Sequence, residues 1–528
     1  MRTTLWTAIV LMPCLALAEE VSVTVETGKV TNVMRGGIGA SWHAIEEPIP
    51  YSETPHPVFG NKSHGGSGWG AYPAAEDDAA WQQIDRHARW LGLDWNRVEM
   101  EQRIYQPERD RFTWDSPEMR ILYRILDWCE KNKADVFLQQ MWGNVRWNTF
   151  PEWRDDPVGR VHSAPASMED FGEGLATLAE HLVKKKGYTC IRWLCINNEP
   201  NGGWSWWQKP PNQLQPLKPG LAAVRKALDK RGLSLPLSGP DLTGGVPPLK
   251  PNPFDFLDLL GAYDFHSYDE NFDPLTKGAM ARFDKNTADW AAWAHQNQKP
   301  LFLSEFGTMA NGWGSDHPGP GTYVSVLKDA ELVVRRINAG VDGLNRWSFL
   351  NRGDLDGQWQ FIETWDPKAK KMLQQYTPHA NTYFLLGLLT RFTAKHSAVL
   401  SSKIEGGKVD AWQRVFATAL RSPGGNLTLA VVNDAPTEFD LAVDVRGLGT
   451  PATLWRYSAG EKERDRIDVK IEPQKEFRIG PNAGTLKDRI GPMSVTVYST
   501  YQLGHGEPGV LADEGGGNRK AGAGRWNR

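Results

Sequence analysis

Cysteine is scarce in this chain, with four in 528 residues. Small exported scaffolds are stapled by dense, even sets of cysteines. Here Cys14 sits in an N-terminal apolar run, and the remaining Cys129, Cys190 and Cys195 are an odd set expected to be buried thiols. No Cys-x-x-Cys and no His-Glu-x-x-His occurs, so the usual spacings of a structural or catalytic zinc site are missing. Charge of either sign is not in excess: 60 basic residues face 63 acidic ones, a net charge of -3. That balance excludes the basic footprint of a nucleic-acid binder. Beyond the N-terminus no apolar stretch is long enough to cross a membrane, and no glycine-rich dinucleotide fingerprint follows the first expected strand.

What is present begins with the leader. Met1-Arg2, an apolar run from Leu5 to Leu17, and Ala16-Leu17-Ala18 ahead of Glu19-Glu20 have the layout of a signal peptide over 1–18, cleaved after Ala18. The expected location is therefore secreted or periplasmic. Tryptophan is abundant, at 24 residues. Flat indoles fill cores, and they also stack on the C–H faces of sugar rings.

From about 35 to 349, short β-rich runs alternate with helical stretches, as expected of repeated βα units around a parallel sheet. The expected strands are 36–41, 95–100, 135–141, 191–197, 235–240, 263–267, 301–304 and 342–347. Trp81, Ile84, Ala88 and Leu91 share one helical face, with Gly92 as a stop. Ser116-Pro117 supplies a cap and a first-turn proline for the next helix. Ser167, with Asp170 three residues on, starts another that ends near Gly187. Eight such units argue for a closed (β/α)8 TIM barrel.

Later segments such as 427–432, 439–445 and 493–500 are β-rich and separated by Gly, Pro and Asn turns, which predicts a C-terminal β-sandwich domain. The expected division is a barrel over 19–390, a β-sandwich over 391–503, and a disordered tail over 504–528. The alternating run 21–25 is expected to lend a strand within 19–34 to the sandwich.

Barrel active sites form at the C-terminal ends of the strands. Ile191 to Ile196 runs into Asn197-Asn198-Glu199-Pro200-Asn201, placing Glu199 at the tip of the fourth strand. Leu301-Phe302-Leu303-Ser304 delivers Glu305 at the tip of the seventh. Cleaving a glycosidic bond with retention needs one carboxylic acid to protonate the leaving oxygen and one carboxylate to attack the anomeric carbon, about 5 Å apart. Two carboxylates that close repel, so ionising one raises the pKa of the other.

Asn198-Glu199-Pro200 ending strand four and Glu305 ending strand seven resemble the clan A glycoside hydrolases over the whole barrel, with families 5, 30 and 39 sharing the barrel-plus-sandwich layout and Asn-Glu-Pro-Asn leaning toward the last. The resemblance implies that Glu199 is the acid/base and Glu305 the nucleophile. It also implies that Arg97 lies beside the nucleophile, where a fixed cation favours the ionised carboxylate. Asn198 would then bind the sugar 2-hydroxyl, His266 and Tyr268 form the clan's His-x-Tyr with the tyrosine on the nucleophile, and Trp347 makes a sugar platform.

Glu99 and Glu101, beside strand two, are read as salt-bridge partners with no catalytic role, and His43 is read as structural. In the ring-rich loops after strands three and four, Trp142, Trp204 and Trp207 are expected to build sugar subsites, while Trp206 packs inward. The implied activity is a retaining hydrolase of a β-linked oligo- or polysaccharide that needs no metal and no organic cofactor. Its partner is a carbohydrate, with no nucleic acid and no membrane, and oligomeric state is left open. A transglycosylase on the same scaffold and a non-catalytic carbohydrate-binding protein are the alternatives. The glycine-rich loops 52–70 and 312–321 would decide internal against chain-end cleavage.

Overall fold

The computed structural model describes residues 19–44, 72–143, 145–250, 254–268, 277–308, 321–351, 359–366, 371–463, 471–481 and 483–503. The leader, the tail, the 52–70 loop and nearly all of the 312–321 loop lie outside the described residues.

Each expected barrel strand has a counterpart: Ile38–His43, Trp95–Glu101, Asp135–Trp142, Ile191–Cys195, Leu237–Leu242, Leu260–Ser267, Leu301–Phe306 and Gly343–Arg346. All eight pair in parallel, and the last pairs back to the first, which closes the barrel. A closed sheet has no free edge, so every strand is flanked on both sides. Room inside is tight near Gly39, where a Cβ would lie 1.4 Å from the Trp95 carbonyl oxygen, so a larger residue there would push strands one and two apart.

The helices follow their local signals. Asp78–Leu91 buries Trp81, Ile84, Ala88 and Leu91 and stops at Gly92, whose φ of 67° suits a residue without Cβ. Pro117–Lys131 is capped by Ser116, whose Oγ accepts from the Met119 amide at 3.2 Å. Met168–Glu180 is capped in the same way by Ser167.

The mostly-strand region forms one nine-stranded hydrogen-bonded sheet. The N-terminal strand Glu19–Met34 lies within it, antiparallel to Ser397–Gly406 and parallel to Phe439–Arg446. Alternation divides its side chains between two cores. Leu427, Leu429 and Val431 face Val21, Val23 and Val443 in a core of the sheet's own, whereas Ala430, Val432, Val495 and Val497 join the barrel core. Helices Tyr323–Asn338 and Tyr383–Phe392 pack between barrel and sheet, and the second ends two residues past 390. The three cysteines of the described residues are free and buried.

Candidate active site

The barrel mouth is organised around one buried cation. Arg97, on strand two, donates through Nε to Gln139 Oε1 at 2.6 Å and through Nη2 to Asn198 Oδ1 at 2.7 Å. Its Nη1 donates to both Glu99 and Glu305, and Asp241 Oδ2 lies 3.8 Å from Nη2. A charge withdrawn this far from water needs such partners. Strands three, four, five and seven therefore converge with strand two on a single guanidinium.

Glu305 is held at both oxygens. Oε2 accepts from Arg97, and Oε1 accepts from the Tyr268 hydroxyl at 2.6 Å. Glu199 has different company, with Oε1 2.8 Å from His266 Nδ1 and Oε2 accepting from the Trp204 indole at 2.5 Å. Its backbone is left-handed, with φ of 44°, a conformation that a side-chain-bearing residue keeps only where its surroundings hold it. One side-chain atom from each of Glu199, His266 and Glu305 lies within 4.8 Å of the other two. An approach this close between oxygens of Glu199 and Glu305 is compatible with the roughly 5 Å of a retaining pair. A cation could be reached by these three groups, but Arg97 and Tyr268 already occupy Glu305, and the guanidinium would repel it.

Burial, the largest influence, lifts the Glu305 carboxyl above its ordinary range; Glu199 and Glu99 add to the rise, while His266 and Arg97 oppose it. The expectation that a fixed cation would favour the ionised form holds in sign only. Arg97 divides its charge among Glu99, Glu305 and Asp241, and burial outweighs what is left. For His266 the balance is reversed: burial would lower its pKa, but Asp241, Glu305 and Glu199 raise it well above the histidine range.

Trp347 is buried beside this network. His43 meets its ring edge-on at 4.8 Å, and Arg97 lies 5.9 Å from its centroid. His43 is itself buried, 2.9 Å from Glu99 Oε2, and Glu99, which also accepts from Arg97, is the salt-bridge partner the sequence offered.

The aromatic loops divide differently from the sequence reading. Trp204 is 46 % exposed and touches Glu199. Gly202 leaves space for it, since a Cβ there would lie 2.6 Å from the indole. Trp207 is 0 % exposed. Its Nε1 donates to the Pro216 carbonyl at 3.3 Å, and its ring packs on Phe171 and against Gly220, so it is a core residue and not a sugar subsite. Trp142, at 6 % exposure, lies in the barrel's hydrophobic cluster together with Trp347, and is about as buried as the carboxylate pair. Trp206 packs inward as expected. Trp207→Ala should therefore cost about 3–5 kcal/mol of stability, as truncation of a buried large aromatic does, whereas Trp204→Ala should leave thermal unfolding nearly unchanged and raise KM several-fold. Calorimetry beside kinetics separates the two.

Two polar residues of the site were not picked out from the sequence, Gln139 and Asp241. Asp241 Oδ1 accepts from His266 Nε2 at 2.9 Å and from Ser304 Oγ at 3.1 Å, and Oδ2 accepts from Gln139 Nε2 at 2.7 Å. The signal for Asp241 was its position directly after Leu237-Ser238-Gly239-Pro240, at the tip of strand five.

Residues 51–335 match the family model for cellulase, glycosyl hydrolase family 5, a span of more than half the 528-residue chain. No curated protein matches the chain in sequence. Among solved structures, SrfJ from Salmonella typhimurium is similar with a TM-score of 0.58 at 12% identity, over 91% of this chain and 93% of that one. An α-L-arabinofuranosidase from Thermotoga maritima has a TM-score of 0.56 at 14% identity, over 92% and 100%. A GH30 endoxylanase from Clostridium papyrosolvens has 0.54 at 12%, over 90% and 99%. At such identities the structures speak for the shared barrel-plus-sheet fold, and the family model speaks for the chemistry. The chain belongs to glycosyl hydrolase family 5 and is a glycoside hydrolase.

Proposed function

We propose that the protein is an exported retaining β-glycosidase in which Glu305 attacks the anomeric carbon and Glu199 serves the leaving group. The carrying observation is the asymmetry of the carboxylates: close together, one clamped at both oxygens by Arg97 and Tyr268, the other facing His266 and an exposed indole. Fixed donors on Glu305 leave it a single direction of attack and stabilise the charge it carries before bonding to carbon. Glu199 gives its proton to the glycosidic oxygen, then takes one from the water that releases the sugar. Trp204, half-exposed against Glu199, is the platform for the leaving-group sugar. The same platform would favour a sugar acceptor over water, and this is the observation behind the transglycosylase alternative. Asn198 and Trp347 line the sugar that is attacked.

The relatives in fold are named for xylan, arabinofuranoside and β1,6-glucan, so the substrate is sought across β-glucans, mannans, xylans and galactans. Proton NMR of the active reaction is expected to show the β-anomer formed first. First formation of the α-anomer would replace double displacement by inversion, and binding without hydrolysis would make the barrel a reader of sugars. Export predicts a mature chain beginning at Glu19, which intact mass of the protein from its native source reads directly.

A further inference from the structure

Asp241 stands in a conformation that asks for an explanation. Its φ is 59°, and its side chain is fully buried in the barrel mouth. A non-glycine residue keeps that backbone only where the surroundings hold it. Here its amide donates to Asp264 Oδ1 at 2.6 Å, while its carboxylate receives Gln139, Ser304 and His266.

We propose that Asp241 is a positioning residue for proton transfer at Glu199: by accepting from His266 Nε2 it fixes the imidazole so that Nδ1 and Glu199 Oε1 hold one exchangeable proton between them. The inference rests on the reading of Glu199 as the acid/base. Its geometry is a line of three groups from three strand ends, with 2.8 Å between Glu199 Oε1 and His266 Nδ1 and 2.9 Å between His266 Nε2 and Asp241 Oδ1.

A neutral imidazole carries one N–H, and the nitrogen that carries it is set by what the other side of the ring meets. Asp241 Oδ1 is an acceptor, so Nε2 keeps its hydrogen. Nδ1 is then free to take or return the proton of Glu199. In the first step that proton passes to the glycosidic oxygen as the C–O bond breaks and Glu305 bonds to the anomeric carbon, leaving Glu199 ionised and His266 neutral. In the second, water gives a proton to the pair as its oxygen bonds to the anomeric carbon and Glu305 departs.

The groups around the imidazole agree. Glu199 faces it from the loop after strand four, Asp241 from strand five and Glu305 from strand seven, the last at 3.7 Å. Arg97 from strand two sits behind Asp241 and Glu305. Just past the end of His266's strand, Tyr268 is turned to Glu305, and on the strand Asp264 is pushed up to about 8 by burial and by Asp241. Burial would raise Asp241 too, but His266, Arg97 and Gln139 bring it below the ordinary carboxylate range. Asp241 is therefore the group that stays ionised behind the ring.

The test compares the full-length wild type with Asp241→Asn, which keeps shape and removes charge. Two aryl β-glycosides of the sugar turned over in the panel are used, one with a 2,4-dinitrophenyl group, which departs without protonation, and one with a 4-methylphenyl group, which needs it. Asp241→Asn is expected to lower kcat/KM on the poor leaving group at least about tenfold, within the range of general acid catalysis, to leave the good one within about threefold, and to move the basic limb of the pH profile to lower pH. Asp241→Glu should return that limb toward the wild type.

Equal losses on both substrates, with an unmoved basic limb, would make Asp241 merely structural and overturn the proposal. Glu199→Ala in parallel isolates the underlying reading, because absence of leaving-group dependence there would remove Glu199 as the acid whatever Asp241 does. Nitrogen-15 histidine NMR needs neither substrate nor a folded Asp241 variant. With His266 assigned by its loss in His266→Gln, wild-type Nε2 is expected to stay protonated through the pH range of activity; a bare Nε2 with a protonated Nδ1 would overturn the proposal.

Discussion

Glu305→Ala is expected to lower kcat by roughly 100,000-fold, the scale seen when a nucleophile is removed from a group that acts as a unit. The fold should survive, because Arg97 keeps Glu99, Gln139 and Asn198 as partners and loses only one of its carboxylates. Azide, small enough for the space left by the carboxylate, should restore part of the turnover of an activated aryl β-glycoside and give the α-glycosyl azide, since the external nucleophile then makes the only displacement. Unchanged activity, or a β-azide, would take the nucleophile's role away from Glu305.

The wild type carries a pH signature of the same residue. Its carboxyl is raised by burial, with Glu199 and Glu99 adding to the effect, and only the ionised form attacks. kcat/KM should therefore rise with pH through a value above the ordinary glutamate pKa of about 4.3. Glu199→Gln removes one of the charges that raise it, so the acid limb of that variant should move to lower pH.

How far the site could be read from the chain depends on what kind of rule each residue obeys. Strand tips follow a local rule, a polar residue after an apolar run, and closure of the barrel converts eight local positions into one shared space. Glu199 and Glu305 lay within reach of that rule, Arg97 and His266 came through the family resemblance, and the structure brings all four together. Asp241 obeys it too, standing directly after the expected end of strand five at Pro240, but no motif of the family resemblance marks it.

Loops have no such period. Trp204 and Trp207 are three residues apart, and nothing in the order Trp204-Ser205-Trp206-Trp207 says that the first faces solvent while the last is packed on Phe171 and Gly220. Orientation there comes from Gly202 within the loop and from Met168–Glu180, the helix that carries Phe171, a contact distant from the loop's own sequence. Alternation in 21–25 does foretell a strand with one apolar face, but not that it would run parallel to Phe439–Arg446 some four hundred residues later. The raised carboxyl of Glu305 was out of reach for the same reason: one cation is visible in sequence, while its division among three acids is a property of the assembled mouth.

Glu199→Ala is expected to separate substrates by their leaving groups. General acid catalysis contributes about 100- to 10,000-fold, and the whole of that should be lost for an unactivated glycoside or a polysaccharide. A 2,4-dinitrophenyl β-glycoside needs no proton to depart, so formation of the glycosyl–Glu305 intermediate should remain close to wild-type speed and be visible as a burst. The slow step then becomes release, because no base is left to activate water. Azide needs no such base, and it should accelerate turnover and give the β-glycosyl azide through the second of two displacements, opposite in anomeric configuration to the product from Glu305→Ala. That pair of opposite products is available only if Glu305 bonds to the sugar and Glu199 does not. Loss of the indole donor tests the orientation of Glu199 separately. Trp204→Phe keeps a ring face and removes the N–H that reaches Oε2, so a fall in kcat on the poor leaving group with KM held would mean that Trp204 aims the acid as well as stacking on the sugar.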